Sequence, residues 1–126
     1  MKNNLALLIL FFGFFSSTIA LGSTTSYLCK FPLEATRAGV AKLATPFELR
    51  FIQDAGAKKT YLMGNNGSDE IQSIPNVDGV SYLEVTTSGN VMVTAIASNG
   101  DAVHSRNGIF FNELVPSQYY GKCIKK

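Results

Sequence analysis

Between Tyr27 and Cys123 the chain is cut by turn-forming residues at intervals of about ten, a rhythm that suits the short strands of an antiparallel sandwich or barrel. Phe47, Leu49 and Phe51 alternate with Glu48 and Arg50, the period of two that a half-buried strand requires. A first strand is expected over Tyr27 to Phe31, ending at Pro32, with others over Thr60 to Met63 and Asp69 to Ile74. Asp54-Ala55-Gly56-Ala57 and Gly64-Asn65-Asn66-Gly67 supply turns between them. Glu34 to Leu43 is the one stretch with helical propensity. Gly39 interrupts it, and helix, single turn and loop all stay open there.

The second half reads as a meander of Val80 to Thr87, Asn90 to Ala97 and Ala102 to Arg106, turning at Ser88-Gly89 and Asn99-Gly100. Asn-Gly favours a type I′ turn, since both central residues there need positive φ. Ile109 to Val115 is a further expected strand ending at Pro116, and Gln118 to Cys123 is the last. Phe110-Phe111 and Tyr119-Tyr120 each place one ring on either side of a strand, so one of each pair belongs to the core. The expectation is a single all-β domain of about eight strands, a small antiparallel barrel or sandwich.

Turn length then sets which residues share a face. Two-residue loops at both turns would pair Tyr82 with Ala95, Glu84 with Val93, Ala95 with His104 and Val93 with Arg106. One face would carry Leu83, Val85, Met92, Ile96 and Val103 as a core. The other would carry Tyr82, Glu84, His104 and Arg106 over Val93, Ala95 and Ala97, and it holds the chain's single histidine. That four-residue face is the candidate for ligand or partner contact. Its plain structural alternative is a solvated sheet on which Glu84 and Arg106 form a weak ion pair. A slip of one residue in either hairpin would change the constellation.

Residues 1–20 say where such a domain would work. Lys2 is followed by an apolar run from Leu5 to Phe15, broken by Gly13, and by the small residues Ser16 to Ala20, which together form a secretory signal. Cleavage after Ala20 or after Gly22 fits equally, leaving one domain over 21–126. The run is too short for a membrane span, which needs roughly 20 residues. Leu28 just before Cys29 is too bulky for a lipoprotein signal. Export implies an oxidising compartment, periplasmic or secreted, where Cys29 and Cys123 are expected to form one disulfide linking the first and last strands. A closed sheet would follow and would remove exposed strand edges.

Chemistry-bearing patterns are sparse. His104 and Ser105 are neighbours on opposite faces of a strand and cannot act as base and nucleophile. No two acids stand out as a pair, and Asp69-Glu70 reads as a loop rim. One histidine with two bridged cysteines gives no zinc spacing, and Asn65 to Glu70 lacks the calcium-loop alternation. Hence no catalytic residue, metal or cofactor is assigned. The formal charge of +2 is small, and Lys122, Lys125 and Lys126 make no broad basic face for nucleic acid.

Ala102 to Arg106, together with Val115 to Cys123, resembles the C-terminal signature of small exported proteins of alphaproteobacteria, a likeness that extends to Tyr82-Leu83-Glu84 and Cys29 and implies an envelope protein without naming an activity. At the level of architecture the chain is also similar to the periplasmic inhibitors of C-type lysozyme, small disulfide-stapled β-barrels with a Ser-Gly-x-x-Tyr loop. Here Ser88-Gly89-Asn90-Val91-Met92 ends in Met, and no Thr-Lys-Gly segment follows. The expectation is a non-enzymatic periplasmic binding or inhibitor module. It would hold an envelope protein or small-molecule ligand on the Tyr82, Glu84, His104 and Arg106 face or in a barrel mouth. The alternatives are an envelope-acting enzyme with His104 as base and a purely structural envelope protein.

Overall fold

The computed structural model describes residues 22–64 and 67–126, and the leader expected over 1–20 lies outside them. Eight strands follow in chain order: β1 Thr24–Thr36, β2 Gly39–Asp54, β3 Lys59–Gly64, β4 Gly67–Asn76, β5 Gly79–Val85, β6 Val91–Ala97, β7 Asp101–Phe110 and β8 Glu113–Lys125. Each pairs antiparallel with its chain neighbours, and β8 returns to β1 to close the barrel. The Cys29–Cys123 disulfide crosses that closing seam between directly paired residues. Closure leaves no free edge along the paired rows, which is what an all-β chain of this size needs to stay unaggregated.

Several local expectations are corrected by physical detail. β1 does not stop at Pro32 but runs through it. Its registers with β2 and with β8 both shift there, and such a bulge tolerates a residue with no N–H to give the ladder. Glu34 to Leu43 is neither helix nor loop but the β1–β2 hairpin, with Thr36 opposite Gly39 and Gly39 at φ 117°. Ile109 to Val115 is not one strand but the tip of the β7–β8 hairpin. Phe111 and Asn112, at φ 47° and 63°, turn the chain between Phe110 and Glu113. Both phenylalanines of the 110–111 pair are therefore exposed, by 66% and 88%.

Side chains alternate in and out along the strands, with the alternation in β1 reset at its bulge. Cys29, Phe31, Leu49, Phe51, Leu62, Tyr82 and Ile96 form the buried centre. Phe51 and Tyr82 stack at 4.3 Å across it. Each such large apolar side chain contributes about 1.5–3 kcal/mol by leaving water. The packed section lies toward the end that carries both termini and the 55–58, 77–78 and 98–100 turns. The opposite end is formed by the 37–38, 86–90 and 111–112 connections; spaces of about 550 and 360 Å³ open there, and one of about 580 Å³ lies at the rim of the first end.

The two meander turns differ from the two-residue reading. Thr86 N donates to Asn90 O and Gly89 N to Thr86 O, closing a three-residue loop, and Gly100 N donates to Ala97 O in a second one. Gly89 and Gly100 take φ of 84° and 90°, while Asn99 keeps negative φ, so these are type I turns finished by one left-handed glycine rather than type I′ turns. Tyr82 consequently faces Thr94 and Glu84 faces Met92, while Thr94 faces His104 and Met92 faces Arg106. Val93, Ala95 and Ala97 point outward. So do Leu83, Val85 and Val103, which are not core, and Val85 is 65% exposed.

Candidate functional site

Tyr82, Glu84, His104 and Arg106 do lie on one surface, and it is the inner wall of the barrel. Strands β5, β6 and β7 bring them together in two rows, Tyr82–Thr94–His104 nearer the packed centre and Glu84–Met92–Arg106 nearer the open end. The lower row is core. Tyr82 and His104 are 1% and 2% exposed, so neither presents a contact surface to a partner outside.

His104 is held by its surroundings. Its Nδ1 shares a 2.7 Å hydrogen bond with Thr94 Oγ1, and Phe31, Phe47 and Tyr119 ring it at centroid distances of 6.1, 5.5 and 6.0 Å. Burial disfavours the imidazolium and the Arg106 charge adds to that, lowering its pKa from 6.5 to about 4. A neutral imidazole with so little affinity for a proton is a poor general base at neutral pH. With Phe47 and Tyr119, His104 forms an aromatic floor beneath the mouth. Tyr82 Oη is buried with no hydrogen-bond partner, and burial, reinforced by Tyr27, raises its pKa.

The upper row faces open space. A cavity of about 360 Å³ sits above His104, walled by Phe47, Leu49, Leu62, Met92 and the charged Asp69, Glu84 and Arg106. Sequence reading placed Asp69 on a loop rim. Its pairing with Leu62 aims it at the lumen. Burial raises the pKa of Glu84, Asp69 raises it further, and Arg106 opposes both. Among the described residues the ion pairs are Lys30–Glu48, Lys59–Glu70 and Lys122–Asp101, all on the outer surface. The expected Glu84–Arg106 ion pair is therefore absent at contact distance, and Asp69, Glu84 and Arg106 form no ion pair among the described residues.

A second space of about 550 Å³ adjoins the first and shares Met92 and Arg106 with it. Its walls come from the tip of the β1–β2 hairpin, with Glu34 and Arg37, and from the β7–β8 hairpin, with Ile109, Leu114 and Val115. Tyr119 Oη donates to Glu34 Oε1 at 2.8 Å, tying the two hairpins together at its base. Arg37, Glu34 and Tyr119 were not singled out by sequence. The signal that could have found them was the odd aromatic of Tyr119-Tyr120 and the helical-looking segment that is in fact a hairpin.

No group of three metal-ligating side chains occurs among the described residues. Thr94 and His104, the one hydroxyl–imidazole pair, are sealed in the core. The arrangement can hold a molecule, with apolar walls and a few charges outside any ion pair among the described residues. Comparison with protein-family models, curated proteins and solved structures finds no match to this chain.

Proposed function

We propose that this chain is an exported, non-enzymatic binding module that holds its ligand in the mouth of the barrel. One observation carries the reading. Aromatic side chains fill the middle of the barrel, and the mouth above them combines apolar walls with Asp69, Glu84 and Arg106, none of them in an ion pair among the described residues. A closed barrel of eight strands has room for its own side chains or for one small ligand, and here the aromatic floor divides the two uses. Half-buried charges such as Glu84 and Arg106, set among apolar walls and free to pair, give a cavity the few polar groups that orient a ligand, which favours recognition.

Export rests on the leader at residues 1–20 and on the disulfide. It is tested by N-terminal sequencing of the exported product, which should begin at Leu21 or Ser23. Binding is tested with Met92→Trp, which places an indole where the two cavities meet. The oxidised domain should bind the fluorescent amphiphile anilinonaphthalene sulfonate saturably. Met92→Trp should weaken that binding at least tenfold with the urea midpoint unchanged. Equal binding by both proteins would remove the mouth as a site.

A further inference from the structure

We propose that the groove beside the mouth takes a single-chain amphiphile with an anionic headgroup, its tail along the β7–β8 hairpin and its head at Arg37 and Arg106. This rests on reading the barrel mouth as a binding site and names the chemical class that the site accepts.

The tail side comes from topology. Pairing of β7 with β6 ends at Asn107 opposite Val91, and pairing of β8 with β1 ends at Gln118 opposite Ala35. From Gly108 to Val115 the hairpin pairs only with itself and stands beyond the barrel as a two-stranded arm. Such an arm has little stability alone. A hydrogen bond from Ile109 N to Asn90 Oδ1, 3.1 Å long, ties it to the β5–β6 turn. The arm is nevertheless apolar, with Ile109, Leu114 and Val115 exposed by 65%, 64% and 53%. Phe110 and Val115, on the face that continues from Arg106 and Ser117, turn toward the 550 Å³ groove, while Ile109 and Leu114 lie on the other face of the arm and border it.

The head side comes from charge. Arg37, Arg106 and Glu34 are the charged residues of the groove wall. Glu34 already accepts the Tyr119 hydroxyl, whereas neither arginine has a carboxylate within 4 Å among the described residues. The groove wall itself therefore carries one more positive than negative charge, with Glu84 and Asp69 in the adjoining cavity that shares Arg106, and guanidinium groups match carboxylate and phosphate oxygens in paired hydrogen bonds. A membrane surface fits less well, because Glu113 at the arm's turn would bring a carboxylate against the lipid headgroups.

The test is calorimetric titration of the oxidised full domain with dodecanoate, dodecyl phosphate and dodecyltrimethylammonium, each below its micelle concentration, and with the octanoate and decanoate homologues. The two anions should bind at least tenfold more tightly than the cation, and the one preferred identifies carboxylate or phosphate as the head. Affinity should fall roughly fourfold for each methylene removed. Val115→Asp should weaken all three dodecyl compounds, and Arg37→Gln, at an exposed turn, should reduce the preference for anions. Arg37→Gln with Arg106→Gln should abolish it. If the cation binds as well as the anions while Met92→Trp still blocks binding, the headgroup assignment is wrong and the barrel-mouth reading stands. If no amphiphile binds and Met92→Trp changes nothing, both fail. Sedimentation with phosphatidylglycerol vesicles in place of monomer binding would assign the arm to a membrane and overturn the proposal.

Discussion

Burying a lone histidine should make this barrel sensitive to acid in a way that one substitution can isolate. The unfolded chain takes up a proton on His104 at the ordinary 6.5, and the folded chain only near 4. Between those values the unfolded state binds more protons, so stability present above pH 6.5 is lost as pH falls toward 4. The slope is about 1.4 kcal/mol per pH unit, and across the window the loss is about 3 kcal/mol. That is a large part of the roughly 5–15 kcal/mol that holds a small domain folded. Glu84 works in the opposite direction. Its raised pKa makes the folded state the better proton acceptor as pH falls, which offsets part of the loss. Asp101, held low by Lys122, contributes only further down, near and below 3.8. His104→Gln keeps a neutral hydrogen-bonding side chain beside Thr94 and leaves Glu84 and Asp101 in place, so the difference between the two proteins reports His104. Urea unfolding of the oxidised domain at pH 7, 6, 5 and 4 should show the native protein losing stability faster than the variant by about 3 kcal/mol in total. Parallel pH dependences would refute the sealed, neutral imidazole and with it the aromatic floor.

Tyr82→Phe removes a buried hydroxyl that has no partner and should leave stability unchanged or raise it by up to about 1 kcal/mol in urea unfolding, whereas a loss above that would show the hydroxyl is satisfied. Replacing both Cys29 and Cys123 by Ala removes a crosslink between positions 94 apart and should cost about 4–5 kcal/mol by the chain-entropy relation, read as a fall in the urea midpoint. Gly121→Ala would drive a Cβ onto the Lys30 carbonyl oxygen across the closing seam and should cost at least about 3 kcal/mol, while Gly64→Ala meets open space and should cost under about 0.5 kcal/mol, both checked by thermal unfolding.

The all-β class and the terminal staple were legible because they rest on signals that act over a few residues, period-two alternation in Phe47 to Phe51 and a single pair of cysteines at the chain's two ends. Features governed by contacts between strands were not. Nothing local marks Pro32 as a residue inside a strand, since the bulge that accommodates it depends on partners on both sides. Nor does composition separate the exposed Phe110-Phe111 from a core pair. The β7–β8 arm outruns its neighbours, and only the pairing of β6 and β1 sets where the barrel stops. Asp69 and Arg37 reach the cavities through strand pairings that the residues around them do not announce.

The Tyr82, Glu84, His104 and Arg106 set survives for a reason that has nothing to do with getting either turn right. The relation between β5 and β7 passes through β6 and depends on the difference between the two loop registers. Lengthening both loops by one residue moves β6 by one place relative to each neighbour, so Tyr82 still shares a row with His104, and Glu84 with Arg106. What the equal slips invert is β6 itself, putting Met92, Thr94 and Ile96 with the four in place of Val93 and Ala95. Those substitutions decide the character of the face. Thr94 gives His104 a buried hydrogen-bond partner, and Met92 leaves a flexible apolar wall between Glu84 and Arg106. Small alanines there would have made a shallow outer platform. With the inner residues in place, the same four side chains split into a buried pair in the core and a half-buried pair at the mouth.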